Sequence, residues 1–129
     1  MKTLTDHQIP EKGFNDHIGI TADEPDKTGA SHNYTLDLLA DPGDAGISTD
    51  KSTQEIRFQK GPVLENGVNG VSNEALLAIV IDRLRGFQSG PFACEANHNA
   101  LIAIRTGLQV LKDRTSERLS RGVEGRSVK

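Results

Sequence analysis

Residues 101–119 carry an apolar row, Leu101, Ile104, Leu108, Leu111, Thr115 and Leu119, with steps of three, four, three, four and four. That spacing keeps one stripe of a helix apolar over about five turns and reads as a coiled-coil-like seam. A shorter row precedes it: Leu76, Val80, Leu84 and Phe87, flanked by Leu77 and Ile81. Ser72 is the expected N-cap of this first helix, and Glu74 lies in its first turn, where the helix dipole favours an acid. The helix is expected to end near Gly86–Gly90, with Pro91 enforcing the break. A second helix begins around Ala93–Glu95 and ends at Gly122, a natural C′ residue. A connection of about six residues makes the two helices antiparallel neighbours.

The first half reads as short strands and loops. Residues 1–12 are polar and mixed in charge and read as a flexible tail or weakly docked arm. Within Phe14–Ala22, the alternation His17-Ile18-Gly19-Ile20 suggests an edge strand, and Asp23–Gly29 suggests a turn. His32–Leu39 places Tyr34, Leu36 and Leu38 on one face of a strand, and Glu55–Gln59 does the same with Ile56 and Phe58. Between them a long loop runs from Asp41 to about Ser52. A short extended piece is expected at Val63–Leu64, then the loop Asn66-Gly67-Val68-Asn69-Gly70, whose Asn-Gly pairs tolerate positive φ. The expected fold class is therefore α+β, a small N-terminal antiparallel β-sheet (β-rich over 14–64) followed by a C-terminal antiparallel two-helix hairpin (72–122). A length of 129 residues points to a single domain.

Composition narrows the function classes. Aromatics make up 4% of the chain and there is no Trp, so a single-chain core is thin and self-association would bury more apolar area. One cysteine, Cys94, excludes an intrachain disulfide and fits a reducing compartment. No signal-like N-terminal stretch is evident, and Ala75–Ile81, the longest apolar run, is far too short to span a bilayer, so no membrane association is expected. Residues 1–55 carry a net charge of −7 and residues 56–129 a net charge of +4, so an anionic ligand would prefer the C-terminal half. The acidic first half argues against binding a nucleic-acid polymer, which normally needs an extended basic face.

Three groups of residues are candidates for chemistry. Arg114, Arg118 and Arg121, at i, i+4 and i+7, share a face that flanks the apolar seam. A guanidinium offers a planar, permanently charged fork suited to phosphate. Spacing alone leaves two readings open: an anion site, or solvated arginines paired with Asp113 and Glu117. The hairpin tip holds Phe87 and Phe92, two of the four phenylalanines, either stacking on a base or closing the end of the helix pair. Asn97 follows in the first turns of the second helix, in reach of a base edge or a ribose hydroxyl. His98 beside it reads as a plain helix-start polar residue. Asn69 lies in the loop before the first helix, whose free N–H groups suit a phosphate; a plain connecting loop is the competing reading. No metal or cofactor is implied: the four histidines lack ligand spacing, and no Walker, G-x-G-x-x-G, G-x-S-x-G or H-E-x-x-H pattern occurs. A Cys94/His98 pair has no evident third orienting group. No catalytic set emerges, and the chain reads as a binder rather than an enzyme.

The segments Ile56-Arg57-Phe58-Gln59-Lys60-Gly61-Pro62-Val63, Gly67-Val68-Asn69-Gly70 and Glu74–Leu84 resemble small phage and prophage proteins, as do Gly90-Pro91-Phe92-Ala93-Cys94-Glu95 and Arg114–Gly125. The hairpin is similar to that of the phage nucleotide-sponge family, whose members counter Thoeris and CBASS immunity by sequestering cyclic ADP-ribose isomers or cyclic oligonucleotides. The resemblance covers about residues 31–125, is strongest over the hairpin and is weak over 1–30. It implies action in the cytoplasm of the infected bacterial host and homodimers that can assemble into hexamers. It also implies a pocket between protomers, formed by an aromatic ending helix one, an Asn early in helix two and two Arg one turn apart near its end. The matching positions are Phe87, Asn97, Arg114 and Arg118, with Phe92, Arg121 and Asn69 as further candidates. The sequence departs from the family at Glu95–Asn99, where Arg-Glu-Asn is more usual. The competing reading is an oligomeric phage structural or interaction protein with no small-molecule ligand.

Overall fold

A computed structural model describes residues 1–40 and 52–129. The loop expected from Asp41 lies almost wholly outside the described residues. The chain divides into two compact units, Met1–Phe58 and Gln59–Lys129, where length alone suggests one domain.

The first unit is a four-stranded antiparallel sheet in the order β1 (Lys2–Leu4), β2 (Ile18–Ala22), β3 (Asn33–Leu38) and β4 (Thr53–Arg57). The pairs Leu4↔Ile20, Ile20↔Leu36, Ala22↔Tyr34 and Tyr34↔Ile56 set one apolar face. Thr3, Thr21, Thr35 and Glu55 pair across the polar face. The alternation therefore specifies the register, since a one-residue slip would exchange the two faces. Ala22 is buried, and the Phe58 ring meets Tyr34 edge to face, 5.5 Å between centroids.

Two expectations change here. β2 is an inner strand rather than an edge, because Lys2–Leu4, expected as tail or arm, pairs along it as β1. The residues before β2, Phe14–His17, form a 3₁₀ turn closed by the Gly13 N–H donating to Asp16 Oδ2 at 2.9 Å. β4 begins two residues earlier than Glu55 and ends at Arg57; beyond it, Phe58 still donates its N–H to the His32 carbonyl.

The second unit begins with a single helical turn, α1 (Val63–Asn66), where an extended piece is expected. The Pro62 carbonyl accepts from the N–H groups of Glu65 and Asn66, which makes the turn helical immediately after the proline. Then come α2 (Asn73–Gln88) and α3 (Glu95–Ser120), packed against each other as the hairpin. Ser72 caps α2, its Oγ accepting from the Ala75 N–H at 3.1 Å. α3 ends in a Schellman motif: Gly122 has φ 73°, its N–H bonds to the Leu119 carbonyl, and the Val123 N–H bonds to the Arg118 carbonyl.

The buried hairpin residues are Ile81 and Leu101, with Leu77, Leu84, Ile104, Leu108, Leu111 and Thr115 half-buried around them. On α2 the inner row thus runs through Leu77, Ile81 and Leu84, while Val80 and Phe87 are exposed. On α3 the seam holds through Thr115 and then departs from expectation. Leu119 is 63% exposed, whereas Arg118 is only 5% exposed. A strict three-four alternation from Leu101 arrives at 118, not 119, so helical geometry puts the arginine on the packed stripe. Ala22, Ile81 and Leu101 are the buried apolar residues among those described, a small core for two units.

Candidate functional site

The hairpin tip is built by two side chains that the sequence did not single out as structural. Gln88, the last residue of α2, clamps the turn: its Nε2 donates to the Cys94 carbonyl at 3.1 Å and its Oε1 accepts from the Cys94 N–H at 3.0 Å. Cys94 is the extended N-cap of α3, and its sulfur accepts from the Asn97 N–H at 3.4 Å. The thiol is therefore a capping group outside the helix, which places it differently from a helical Cys94/His98 pair.

Phe87, Phe92 and Asn97 lie within three residues of the two clamped positions, Gln88 and Cys94. Phe87 is 39% exposed, with the Arg83 guanidinium 5.1 Å from its ring centroid. A cation over one face of the ring rigidifies it and adds positive potential. Phe92 is 73% exposed, on the turn itself. Asn97 is half-buried, and its side-chain amide has no partner among the described residues. The tip thus presents apolar rings and one free amide.

The arginine row stands at the other end of α3, and its three members differ. Arg114 is exposed and has no hydrogen-bond or ion-pair partner among the described residues. Arg121 pairs with Glu117 one turn back, the solvated arrangement that spacing left open. Arg118 is turned inward. Its Nε donates to Glu124 Oε2 at 2.8 Å, and its two terminal nitrogens donate to the carbonyls of Val123 at 2.9 Å, Arg126 at 3.0 Å and Val128. The guanidinium thereby gathers the segment after Gly122 around itself. That segment also returns to α1, where the Leu64 N–H donates to the Gly125 carbonyl and Ser127 Oγ donates to Glu65.

Asn69 has a defined local role. Its side-chain amide accepts from the Lys60 N–H and donates to the Lys60 carbonyl, both at 2.8 Å, while its own N–H donates to Gln59 Oε1. Gln59 in turn donates to the carbonyls of Gly61 and Gly67. The loop before α2 is closed by these two amides.

Within one chain, tip and arginines do not meet. Asn97 and Arg114 are seventeen positions apart on a continuous helix, roughly 25 Å at 1.5 Å per residue. Rings, free amide and free guanidinium therefore do not line one pocket within a single hairpin. The remaining titratable clusters do not offer a metal centre: among the described residues no group of three or more His, Cys, Asp or Glu could hold an ion. No helix among them is long and apolar enough to cross a membrane.

A four-stranded antiparallel sheet and a helical hairpin with rings at one end and arginines at the other define an α+β class, and its relatives give the class a name. Residues 50–115 match the model of the Acb2/Tad1 hairpin domain, and the chain belongs to that family. The match takes in Asn69, Phe87, Phe92, Asn97 and Arg114 and stops short of Arg118 and Arg121. A Bacillus phage SBSphiJ7 protein named Thoeris anti-defense 1 is 50% identical over 70 residues, covering 54% of this chain and 49% of the relative. The chain thus matches about half the length of that curated relative.

Proposed function

We propose that this is a phage anti-defence protein that binds a cyclic nucleotide immune signal and sequesters it without cleavage. The favoured ligand is a cyclic ADP-ribose isomer of the Thoeris type, and the reading extends to the cyclic oligonucleotides of CBASS. Family membership over residues 50–115, which contain Phe87, Asn97 and Arg114, is the observation that carries it. The ends of the hairpin supply complementary chemistry: a flat apolar ring for adenine, an amide for ribose, and guanidinium forks for pyrophosphate. The separation of tip and arginines supports a pocket shared between two copies, hence a homodimer with equivalent sites across a two-fold axis and, by repetition, a hexamer. Exposed Ile79, Ile102 and Val110 on the outer faces of α2 and α3 favour such assembly.

In this reading Arg114 is the primary phosphate contact, since no described residue of its own chain competes for it. Arg118 engages when a ligand phosphate replaces the Glu124 carboxylate. Arg121 sits at the rim, Phe92 offers a second ring, and Asn69 is the outlying member, a loop residue next to the ligand. The setting is the cytoplasm of the infected host.

The test is direct. Purified protein is titrated calorimetrically with cyclic ADP-ribose isomers and cyclic di- and trinucleotides, then denatured, and the released ligand analysed. Intact ligand is the expected result, altered ligand indicates an enzyme, and no binding to any compound leaves the structural or interaction protein. Arg114→Ala should weaken binding by about 1.5–3 kcal/mol, the range for a hydrogen bond to a charged group, with unchanged melting temperature and oligomer. Normal binding by that variant refutes the site.

A further inference from the structure

The α2–α3 hairpin holds a cleft that neither its tip nor its arginine end uses. It encloses about 210 Å³. Ala78, Ile81 and Leu108 form an apolar floor, and Arg85 of α2 with Arg105, Gln109 and Lys112 of α3 line the rest. No acid lines it. None of the three cations has a hydrogen-bond or ion-pair partner among the described residues. The neighbouring Asp113 carboxylate accepts from Gln109 Nε2 at 2.8 Å and makes no ion pair with any of the three among the described residues.

Arg105 and Lys112 are seven residues apart on one face of α3, about 10 Å along the axis, and Arg85 approaches from the facing helix. Three like charges around a partly enclosed, apolar-floored space raise the local positive potential. A polyvalent anion would relieve their repulsion and accept forked hydrogen bonds from two guanidiniums. The cleft is smaller than the roughly 300–1,000 Å³ of sites that swallow a drug-sized ligand. It fits a short phosphate chain, with any larger remainder left in solvent. We propose that this cleft binds the di- or triphosphate portion of a small phosphorylated compound. The site is separate from Arg114, which lies two residues beyond Lys112 and so about 200° around the helix.

The probe is inorganic tripolyphosphate, titrated calorimetrically into the full chain at low and moderate salt. Saturable binding of one ion per chain is expected, weakening as salt rises. The double variant Arg105→Ala/Lys112→Ala should lose at least tenfold in affinity, and Lys129→Ala, which removes a cation outside the cleft, should lose none. If the double variant loses its helical circular dichroism, Arg85→Ala on the other helix takes its place with the same tenfold expectation. The binding event that the double variant abolishes should persist in Arg114→Ala, which keeps this inference distinct from the nucleotide pocket. Absence of saturable binding overturns the proposal. So does an equal loss in Lys129→Ala, or a loss confined to Arg114→Ala.

Discussion

Arg118→Met is the substitution that most directly probes how the hairpin base is held. The thioether keeps most of the aliphatic stem and removes the guanidinium. Four hydrogen bonds end: one to the Glu124 carboxylate and three to the carbonyls of Val123, Arg126 and Val128. A bond to a charged group contributes about 1.5–3 kcal/mol, and the sum of four overstates the loss. The side chain of Arg118 is 7% exposed but that of Glu124 is 34% exposed, so the carboxylate can rehydrate once the segment detaches. Removing one partner of a fully buried pair costs roughly 3–5 kcal/mol; a discount for the half-open side leaves about 2–4 kcal/mol. At a urea slope of about 2 kcal/mol/M, the unfolding midpoint should fall by roughly 1–2 M. Hydrogen exchange should also accelerate at the amides of Leu64 and Arg126, whose bonds belong to the same returning segment. Arg118→Lys should recover less than half of the loss, because an ammonium cannot reach acceptors on several sides at once. A midpoint shift below about 0.3 M, or a Leu64 amide that stays protected, would refute the view that Arg118 organises this segment.

Other perturbations read separate parts of the molecule. Gln88→Ala removes both bonds to the Cys94 backbone and should destabilise the hairpin by about 1–2 kcal/mol, seen as a lower thermal midpoint and faster exchange at the Cys94 amide. Gly125→Ala should cost at least about 1 kcal/mol: φ is 80° there, and an added Cβ would stand 2.9 Å from Leu64 Cγ, so normal stability would show that the segment does not dock on α1. Asp26 has its pKa lowered to about 2, first by the Thr28 hydroxyl and then by His32, whose Nε2 lies 2.7 Å from Oδ2. A depressed carboxylate stabilises above its unfolded value of 3.8, and that contribution is lost as pH falls from about 4 through 2. Thermal melts across that window should therefore show a steeper acid-side decline for the wild type than for Asp26→Asn; parallel curves would rule the contribution out.

Much of the molecule was legible because short-range physics decides it. Alternation placed Tyr34, Leu36, Ile18 and Ile20 on one face of a sheet, and the pairing puts them there. Ser72 and Gly122 mark where backbone groups run out of helical partners, and both act as caps. The site was less legible. Phe87, Asn97 and Arg114 were marked by type and spacing, yet which of them have a partner within the chain depends on tertiary contacts: Arg114 has none among the described residues, while Phe87 lies under the Arg83 guanidinium.

What the sequence by itself determined was therefore the α+β class, the hairpin, its caps and the two faces of the sheet, each set within a few residues by periodicity and capping. Tertiary structure alone decided the rest. Lys2–Leu4 became a strand because a partner fifteen or more residues away offered free backbone groups. Leu119 yielded its place to Arg118 because a polar side chain can be buried once distant acceptors saturate it, and those come from a segment beyond the helix. Asn69 and Gln88 became loop clamps for the same reason: an amide's role depends on which backbone groups fold within reach of it.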